Sequence, residues 1–441
     1  MATVKEQILA EKGGNDAGPG SPTIVRASFS DTMTVDAFQR LRVSNPITLF
    51  DSRQFTGDNS LLWENSTPVG TASVSAQTAR SSVYLTNGGT ASGAKIVRQS
   101  RYNFLYQAGR SFAVFQTFVL GTATSNVRKR VGFFNEDRAG HGDGIFLEQN
   151  GSNGEYLTLR TSTSGTASDA NKVARSAWFD RFDGLGGKTN PSGINLDFSK
   201  TQIMVIDLQY LGVGRVRVAF DVDGILFPAY EFKNANVQTV AYMKTPNLNL
   251  RYEIENTGVA GGTVNLEHIC AAVMVEGGVD PGSRGLPWAG PATAIAGVGV
   301  TTRRPILSVR AKTLINSIRN RGHIFPRAIE LLVQTNSAYI ELVLNGTLTG
   351  GAGAWTDLSA TQSLVEYNTD RTGISGGRVI RAFYCAPGTG SNRQDSTRSD
   401  FMDLPLVLTD LLDVQDVLSI VATAQTGTST VAASMCGQEY Y

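Results

Sequence analysis

The feature that most limits the fold of this 441-residue chain is a strict alternation of apolar and polar side chains. In RVRVAFDVDGILF, apolar residues recur at every second position from Val216 to Val222. They stop at Asp223-Gly224, a dipeptide typical of a two-residue hairpin turn. In LRYEIEN, residues 250–256, apolar and charged residues alternate in the same way. Long stretches with the 3.6-residue period of a helix are absent from the sequence, which therefore predicts an all-β protein.

The strand patterns fall into two blocks, which predict two domains. Residues 60–276 predict a lectin-like β-sandwich of the jelly-roll or concanavalin-like type, and residues 305–441 predict a second, immunoglobulin- or jelly-roll-like sandwich. Residues 277–304 are rich in Gly and Pro and show no period, which is typical of a linker. Residues 1–59 predict an extended N-terminal arm, because their first part is polar and rich in Gly, Pro, Ser and Thr.

Charge and hydropathy limit the partners of the chain. Lys and Arg total 39 against 38 Asp and Glu, a net charge of +1, so there is no basic surplus for binding nucleic acid. No window approaches the ~18 uninterrupted apolar residues of a membrane span, which predicts no membrane insertion. Charged residues make up 17%, below the ~25% usual in soluble proteins, and a weakly charged surface favours burial against partners. We therefore predict a homo-oligomer, either a dimer or a trimer.

The best candidate for a metal or acid–base site is NEDRAGHGDG, which brings together Glu136, Asp137, His141 and Asp143. Oxygen-rich glycine loops can bind Ca²⁺, but the EF-hand pattern with its terminal Glu is missing. The chain also lacks the closely spaced His and Cys of a zinc site. We interpret the cluster as a solvated β-turn, with a Ca²⁺-assisted loop as the alternative, and predict no metal and no cofactor. Alanine at Asp137 or Asp143 should then leave folding intact.

A second candidate, WFDRFDGLGG, combines aromatic residues with Asp180 and Asp183. Paired carboxylates could serve glycoside hydrolysis, and an aromatic ring could stack on a sugar. We therefore take Trp178, Asp180 and Asp183 as candidate glycan contacts. The alternative is a structured loop in which Trp178, Phe179 and Phe182 anchor the core. No acid pair stands out and no GxSxG nucleophile elbow is present, so the sequence predicts no catalytic residues and no enzyme.

The segment DAFQRLRVSNPITLFDS, residues 36–52, places large apolar side chains among charges without a helical or strand period. Such side chains need a surface to pack on, and arginine can form bidentate ion pairs at the rim of an interface. We predict a docking strap that binds a neighbouring subunit. The alternative is that the segment completes the first sandwich of its own chain. The predicted docking residues are Phe38, Arg40, Leu41, Arg42, Val43, Ile47, Leu49 and Phe50.

The same segment closely resembles the DAFGRLRVS-x-P-x-TLFDS hallmark of a family of tailed-bacteriophage virion structural proteins, which is also seen in some large DNA viruses. Later stretches, among them GDGIFLEQNG, WFDRFDGLGG and ICAAVMVEGG, are similar to that family's later blocks. The resemblance covers roughly residues 36–278. Gln39 stands where the family usually has Gly, so a positive φ at this position is not expected from the sequence.

This resemblance implies a structural component of a virion, made in the host cytoplasm and bound to other virion proteins. The first interpretation is a tail, baseplate or fibre-type subunit held by its N-terminal arm. The alternatives are a capsid decoration or head protein, or a carbohydrate-binding receptor module that contacts a host surface glycan. The family supplies no catalytic residues to carry over.

Overall fold

β-strands make up almost all the regular structure of the protein. The computed structural model describes residues 45–137, 140–277, 285–291, 293, 296–388 and 405–441. The all-β prediction is confirmed, since the described helical segments are short 3-10 turns at Thr78–Arg80, Gly151–Asn153, Arg175–Ala177 and Gly187–Thr189. In this part of the chain, no helix has the length and apolar character needed to cross a membrane.

In chain order, the strands are β1 Ile47–Arg53, β2 Trp63–Asn65, β3 Ser73–Gln77, β4 Ser82–Thr86, β5 Lys95–Ser100, β6 Ser111–Val119, β7 Val127–Phe134, β8 Gly144–Asn150, β9 Glu155–Thr161, β10 Ser168–Ala174, β11 Gln202–Gln209, β12 Val216–Val222, β13 Ile225–Phe232, β14 Leu250–Asn256, β15 Asn265–Glu276, β16 Leu286–Gly290, β17 Val298–Val300, β18 Arg304–Ala311, β19 Leu314–Ile315, β20 Ile318–Arg319, β21 His323–Gln334, β22 Ala338–Leu344, β23 Thr347–Thr349, β24 Thr356–Asp357, β25 Val365–Asn368, β26 Gly373–Ser375, β27 Arg378–Cys385, β28 Val417–Ala424 and β29 Ser429–Tyr440.

The first sandwich consists of two antiparallel sheets around one core. The eight-stranded sheet has the order β13-β12-β11-β6-β15-β4-β3, with β1 also paired to β15, and the seven-stranded sheet has the order β10-β9-β8-β7-β14-β5-β2. The alternation on β12 places Val216, Val218 and Phe220 in this core. The predicted hairpin is confirmed: Asp223 and Gly224 both have positive φ and connect the antiparallel pair β12 and β13.

The second sandwich packs a four-stranded sheet on a six-stranded one. In the first, β29 pairs with β21 along one edge and with β16 and β17 along the other; the second has the order β24-β25-β18-β28-β22-β27. The structure differs here from the sequence prediction, because β16 and β17 lie within the predicted linker 277–304. Trp288 and Val300 from these strands are buried in the core. Strands this short carry too few residues to show a period.

Ion pairs and hydrogen bonds join the two sandwiches. Arg101 Nη2 in the first lies 2.7 Å from Asp416 Oδ1 in the second. Leu411 N–H, from the second, donates to Glu64 Oε1 of β2 at 3.2 Å. These contacts involve buried or half-buried groups, so they connect the sandwiches more firmly than exposed ion pairs would.

Glu64 at this junction has an unusual pKa. Burial raises its pKa from 4.5 to about 7. The hydrogen bonds that the carboxylate accepts lower the pKa, but burial has the larger effect. Between these pH values the folded protein keeps a proton that the unfolded chain has lost, so stability falls as the pH rises through this window. We expect Glu64→Gln to melt higher than the wild type at pH 8 and close to it at pH 4. Melting curves at both pH values test this, and a variant that melts below the wild type at pH 8 would contradict it.

Candidate functional site

The described part of the docking strap is a strand of its own sandwich. β1 pairs antiparallel with β15, and this register places Phe50 opposite Val273. Phe50 is 4% exposed, and its ring packs edge-on against those of Trp63, Tyr102 and Phe104 at centroid distances of 5.7, 5.9 and 5.4 Å. For Phe50 the docking prediction is therefore wrong, and the alternative applies: this residue completes the core of the first sandwich.

Ser52 connects β1 to a buried polar cluster in the same core. Its hydroxyl oxygen accepts hydrogen bonds from Trp63 Nε1 at 2.7 Å and from Gln54 Nε2 at 3.0 Å. Gln54 Oε1 in turn accepts from Arg98 Nη2 at 3.2 Å, and Arg98 Nε donates to Nδ1 of the fully buried His268 at 3.2 Å. The end of the hallmark, TLFDS, is thus held by both apolar packing and buried hydrogen bonds.

The remaining docking residues divide at the start of β1. Ile47 is 37% exposed and Leu49 is half-buried against the core. Both belong to β1, which we call the root of the arm. The other predicted docking residues, Phe38, Arg40, Leu41, Arg42 and Val43, lie outside the described residues.

The cluster NEDRAGHGDG does not form a solvated turn, which corrects the sequence interpretation. Asp143 is 1% exposed and accepts hydrogen bonds from Ser162 N and Oγ, both at 2.8 Å, and from Lys244 N at 2.9 Å. Asp137 is also buried, with Oδ2 lying 3.1 Å from Arg321 Nη2 of the second sandwich. Both acids therefore join distant segments. Among the described residues, no group of three His, Cys, Asp or Glu converges to hold a metal ion.

Asp143→Ala is therefore expected to destabilise the protein by about 3 kcal/mol or more. The substitution leaves the buried N–H and hydroxyl of Ser162 and the partly buried N–H of Lys244 without their acceptor, and each orphaned buried group costs about 1–3 kcal/mol. Asp51→Ala is the matched control, because its side chain is 55% exposed in a surface ion pair with Arg53, which is 66% exposed. Chemical denaturation of both variants measures the difference. Equal stability would restore the solvated-turn interpretation.

The loop WFDRFDGLGG buries the aromatic residue that was predicted to contact a glycan. Trp178 is 4% exposed, stacks on Phe220 at 6.1 Å and meets Phe182 edge-on at 6.5 Å. A ring buried in this way cannot stack on a sugar that arrives from solvent, so the core-anchor alternative applies to Trp178 and Phe182. Asp180 is also buried, and its carboxylate accepts from the backbone N–H groups of Phe182 and Ser192 at 3.0 Å each.

The more accessible members of this loop include Asp183 and Phe179. Asp183 is half-buried, and its Oδ1 accepts from Leu185 N and Asn190 Nδ2 at 3.0 Å each, which fixes the loop. Phe179, which the core-anchor alternative placed inside, is 51% exposed and lies against Tyr230 at a centroid distance of 5.2 Å. Adjacent aromatic residues in a loop give no sequence signal of which one is buried.

The outer face of the seven-stranded sheet carries a row of alternating charges that the sequence analysis missed. Glu253 on β14 lies opposite Arg130 on β7, which lies opposite Glu148 on β8. Arg130 Nε is 2.8 Å from Glu148 Oε2, and Arg130 Nη1 is 3.6 Å from Glu253 Oε1. All three side chains are almost fully buried. The alternation of LRYEIEN indicated polar residues on this face, but only strand register brings opposite charges together.

The acids of this row are held in their ionised form. Burial opposes ionisation of Glu253, but positive charges led by Lys95 and Arg251 outweigh it and hold the pKa of Glu253 well below its usual range. Burial also opposes ionisation of Glu148, whose pKa is nevertheless lowered by Arg130. Glycoside hydrolysis needs one carboxylic acid with a raised pKa that can protonate the leaving group. The row therefore suits stable ion pairing and does not suit general acid catalysis.

A cleft of about 740 Å³ opens between the loop before β14 and the second sandwich. Its lining includes Lys244 and Asn247 from the first sandwich and Arg319 and Arg321 from the second. Both arginines pair with Asp410, at 2.8 and 3.2 Å. Their charges are thus paired within the protein. We interpret the cleft as a gap at the junction of the two sandwiches.

Comparisons with known proteins give a weak structural likeness. No protein-family model matches the chain, and no curated protein matches it. The chain is similar to a glycoside hydrolase family protein from Mycobacterium thermorestibile, with 14% identity, 51% of this chain and 99% of that chain covered, and a TM-score of 0.35. The chain is also similar to the β-glucanase of Bacillus licheniformis, with 13% identity, 53% of this chain and 99% of that chain covered, and a TM-score of 0.31.

A lectin from Bauhinia forficata shows the same level of likeness, with 9% identity, 51% of this chain and 97% of that chain covered, and a TM-score of 0.31. Similarity this low says nothing about function. The all-β architecture rests on the sheets of this chain itself.

Proposed function

We propose that this chain is a structural component of a tailed-phage virion, a tail, baseplate or fibre-type subunit that its N-terminal arm attaches to a neighbouring virion protein. The proposal begins from the hallmark segment DAFQRLRVSNPITLFDS. The single observation that carries it is the root of the arm: Phe50 is buried in the first sandwich, so the end of the hallmark is built into a packed core. A pull on the arm would then be transmitted to that core.

The hallmark segment has two parts, the root and the residues before it, and their different roles support the same proposal. In TLFDS, Phe50 is buried in the core of this chain and Leu49 packs against that core. Phe38, Leu41 and Val43 precede the root, and each contributes about 1.5–3 kcal/mol when it is buried. Buried on a neighbouring subunit, these residues would hold the chain in a particle, since the gross gain exceeds the cost of ordering their side chains. The ion-paired acids of the seven-stranded sheet favour a structural role over catalysis.

Mass spectrometry of purified particles tests this proposal. We expect the chain in virions at a fixed ratio to other virion proteins, and gold labelling of the chain at the tail or baseplate. Labelling over the capsid surface would favour the decoration or head alternative. A chain that is made in infected cells but stays out of purified particles would contradict the proposal.

A carbohydrate-binding module is the second candidate, and one observation favours it. Phe179 is 51% exposed and stacks on Tyr230 beside the loop that Asp183 fixes. An exposed aromatic face next to polar loop groups is a suitable platform for a sugar ring. On a glycan array, Phe179→Ala should lose any signal that the wild type gives, while Leu185→Ala, at an exposed position of the same loop, should keep it. A wild type that binds no glycan would exclude this candidate.

A further inference from the structure

The two outer faces of the first sandwich differ in chemistry. Antiparallel sheets in sandwiches usually alternate between apolar residues facing the core and polar residues facing solvent. The outward positions of the seven-stranded sheet carry the charged row, whose side chains are almost fully buried. On the eight-stranded sheet, the outward positions of the central strand β6 are Ser111, Ala113, Phe115, Thr117 and Val119, all half-buried, and three of these five are apolar. This face therefore presents apolar side chains where a solvated sheet would present polar ones.

The apolar area extends across the strands on both sides of β6. Phe115 lies opposite Val205 of β11 and opposite Ala272 of β15, and Val205 lies opposite Ala219 of β12. Met274 of β15, opposite Ala113, adds a further large apolar side chain. We call this surface the apolar face. Contiguous apolar surface of this kind marks an interaction site on a folded protein.

Charge at the margins of the apolar face identifies the partner. One cross-strand row runs Arg53, Cys270, Thr117, Ile203, Asp221, from β1 across to β12. β1 and β12 each lie two strands from β6, on opposite sides. Arg53 is therefore at one end of the row and Asp221 at the other, at equal distances of about 10 Å from β6 by the usual strand spacing.

We propose that the apolar face binds the same face of a second copy of this chain, forming a dimer with its two-fold axis along β6. Rotation about this axis places β1 of one copy over β12 of the other. Each cross-strand row keeps its position along the strand direction. Arg53 of one copy then faces Asp221 of the other, and the contact occurs twice. Sheets packed face to face lie about 10 Å apart with their strands nearly aligned, which brings Phe115 of both copies to the centre of the contact. This inference does not rest on the proposed function.

The marginal charges make this arrangement specific. Arg53 Nη2 lies 3.4 Å from Asp51 Oδ2 of the same strand, but both side chains of this surface pair are exposed, at 66% and 55%, so Arg53 stays accessible to a partner. Asp207 of β11, which lies opposite Ala113 within the face, is ion-paired with Arg217 of β12 at the margin, so no unpaired like charges meet in the contact. The overall net charge of +1 also leaves little repulsion between two copies.

Analytical ultracentrifugation of the full chain tests the dimer. We expect a dimer at ~10 μM, where an interface of standard size is assembled. Phe115→Glu should give a monomer, because each copy would bring an unpaired carboxylate to the centre of the contact. Leu185→Glu is the control: this leucine is 85% exposed in a loop, and the variant should stay dimeric. Melting curves confirm that the variants are folded.

A charge-reversal cycle gives a second test that does not depend on a core substitution. Arg53→Asp and Asp221→Arg should each raise the dissociation constant about tenfold or more, because like charges then face each other twice. The double variant Arg53→Asp/Asp221→Arg should restore the wild-type constant. A wild type that stays monomeric at ~10 μM, including one that associates only with a different protein, would overturn the proposal. Additive effects of the two reversals, without rescue, would overturn it as well.

Discussion

Phe50→Ala is expected to destabilise the isolated protein by about 3–5 kcal/mol. The substitution removes a ring that touches three other aromatic rings in the core of the first sandwich, and the surrounding strands cannot close the cavity. Chemical denaturation of the full chain measures the loss. Ile47→Ala on the same strand is the matched control, since Ile47 is 37% exposed and should lose less than about 1 kcal/mol.

The comparison of Phe50 with Ile47 separates two accounts of β1. If Phe50 were an intermolecular docking residue, its removal would leave the isolated chain as stable as the Ile47 variant. A strand that completes its own sandwich gives a large difference between the two variants. Equal denaturation midpoints would therefore contradict the description of the root.

Glu253→Ala is expected to cost about 3–5 kcal/mol, because it removes the carboxylate 2.9 Å from the buried guanidinium of Arg251 and leaves it only that of Glu136, 3.9 Å away. Glu255→Ala is the control two residues along the same strand and face. The Glu255 side chain is 22% exposed against 1% for Glu253, so its loss should cost less than about 1 kcal/mol. Denaturation midpoints of the two variants measure the contrast, and similar losses would show that burial does not set the strength of these pairs.

The same variant changes the acid stability of the protein. The folded-state pKa of Glu253 is held well below the usual glutamate value of 4.5, so its contribution is complete above that pH and is lost as the pH falls below it. Glu253→Ala should therefore show a smaller fall in stability between pH 5 and pH 3 than the wild type. An unchanged slope would place the acid sensitivity at other carboxylates.

Local patterns allowed the strands and their turns to be predicted from the sequence. The strands β12 and β14 and the Asp223-Gly224 turn follow from short-range chemistry, and the structure confirms them. On β14 the charged residues Arg251 and Glu253 are buried as well, which the alternation did not predict. The pairing of β1 with β15 could not be predicted, because more than 200 residues separate the partners and β1 shows no clean alternation. The register of β1 on β15 depends on Phe50, whose ring fills a position in the core of the first sandwich.

The sequence could not predict which side chains of the candidate site are buried. Asp137 and Asp143 belong to a polar, glycine-containing stretch that is typical of an exposed turn. They are buried because Arg321 and the backbone of Lys244, distant in sequence, supply their partners. Trp178 and Phe179 are adjacent and aromatic, yet the core takes one and leaves the other exposed. Tertiary packing decides such cases, and a single sequence does not encode it locally.

The most direct test of the central claim, that the arm joins this chain to a virion, is the incorporation of a Phe38→Asp/Leu41→Asp variant into particles. Both positions lie outside the described residues, upstream of the root. We expect the purified variant to melt at the wild-type temperature, while mass spectrometry shows at least about tenfold less of it in particles, since two buried apolar side chains are replaced by carboxylates. Incorporation at the wild-type level, or a lowered melting temperature of the isolated protein, would contradict the account.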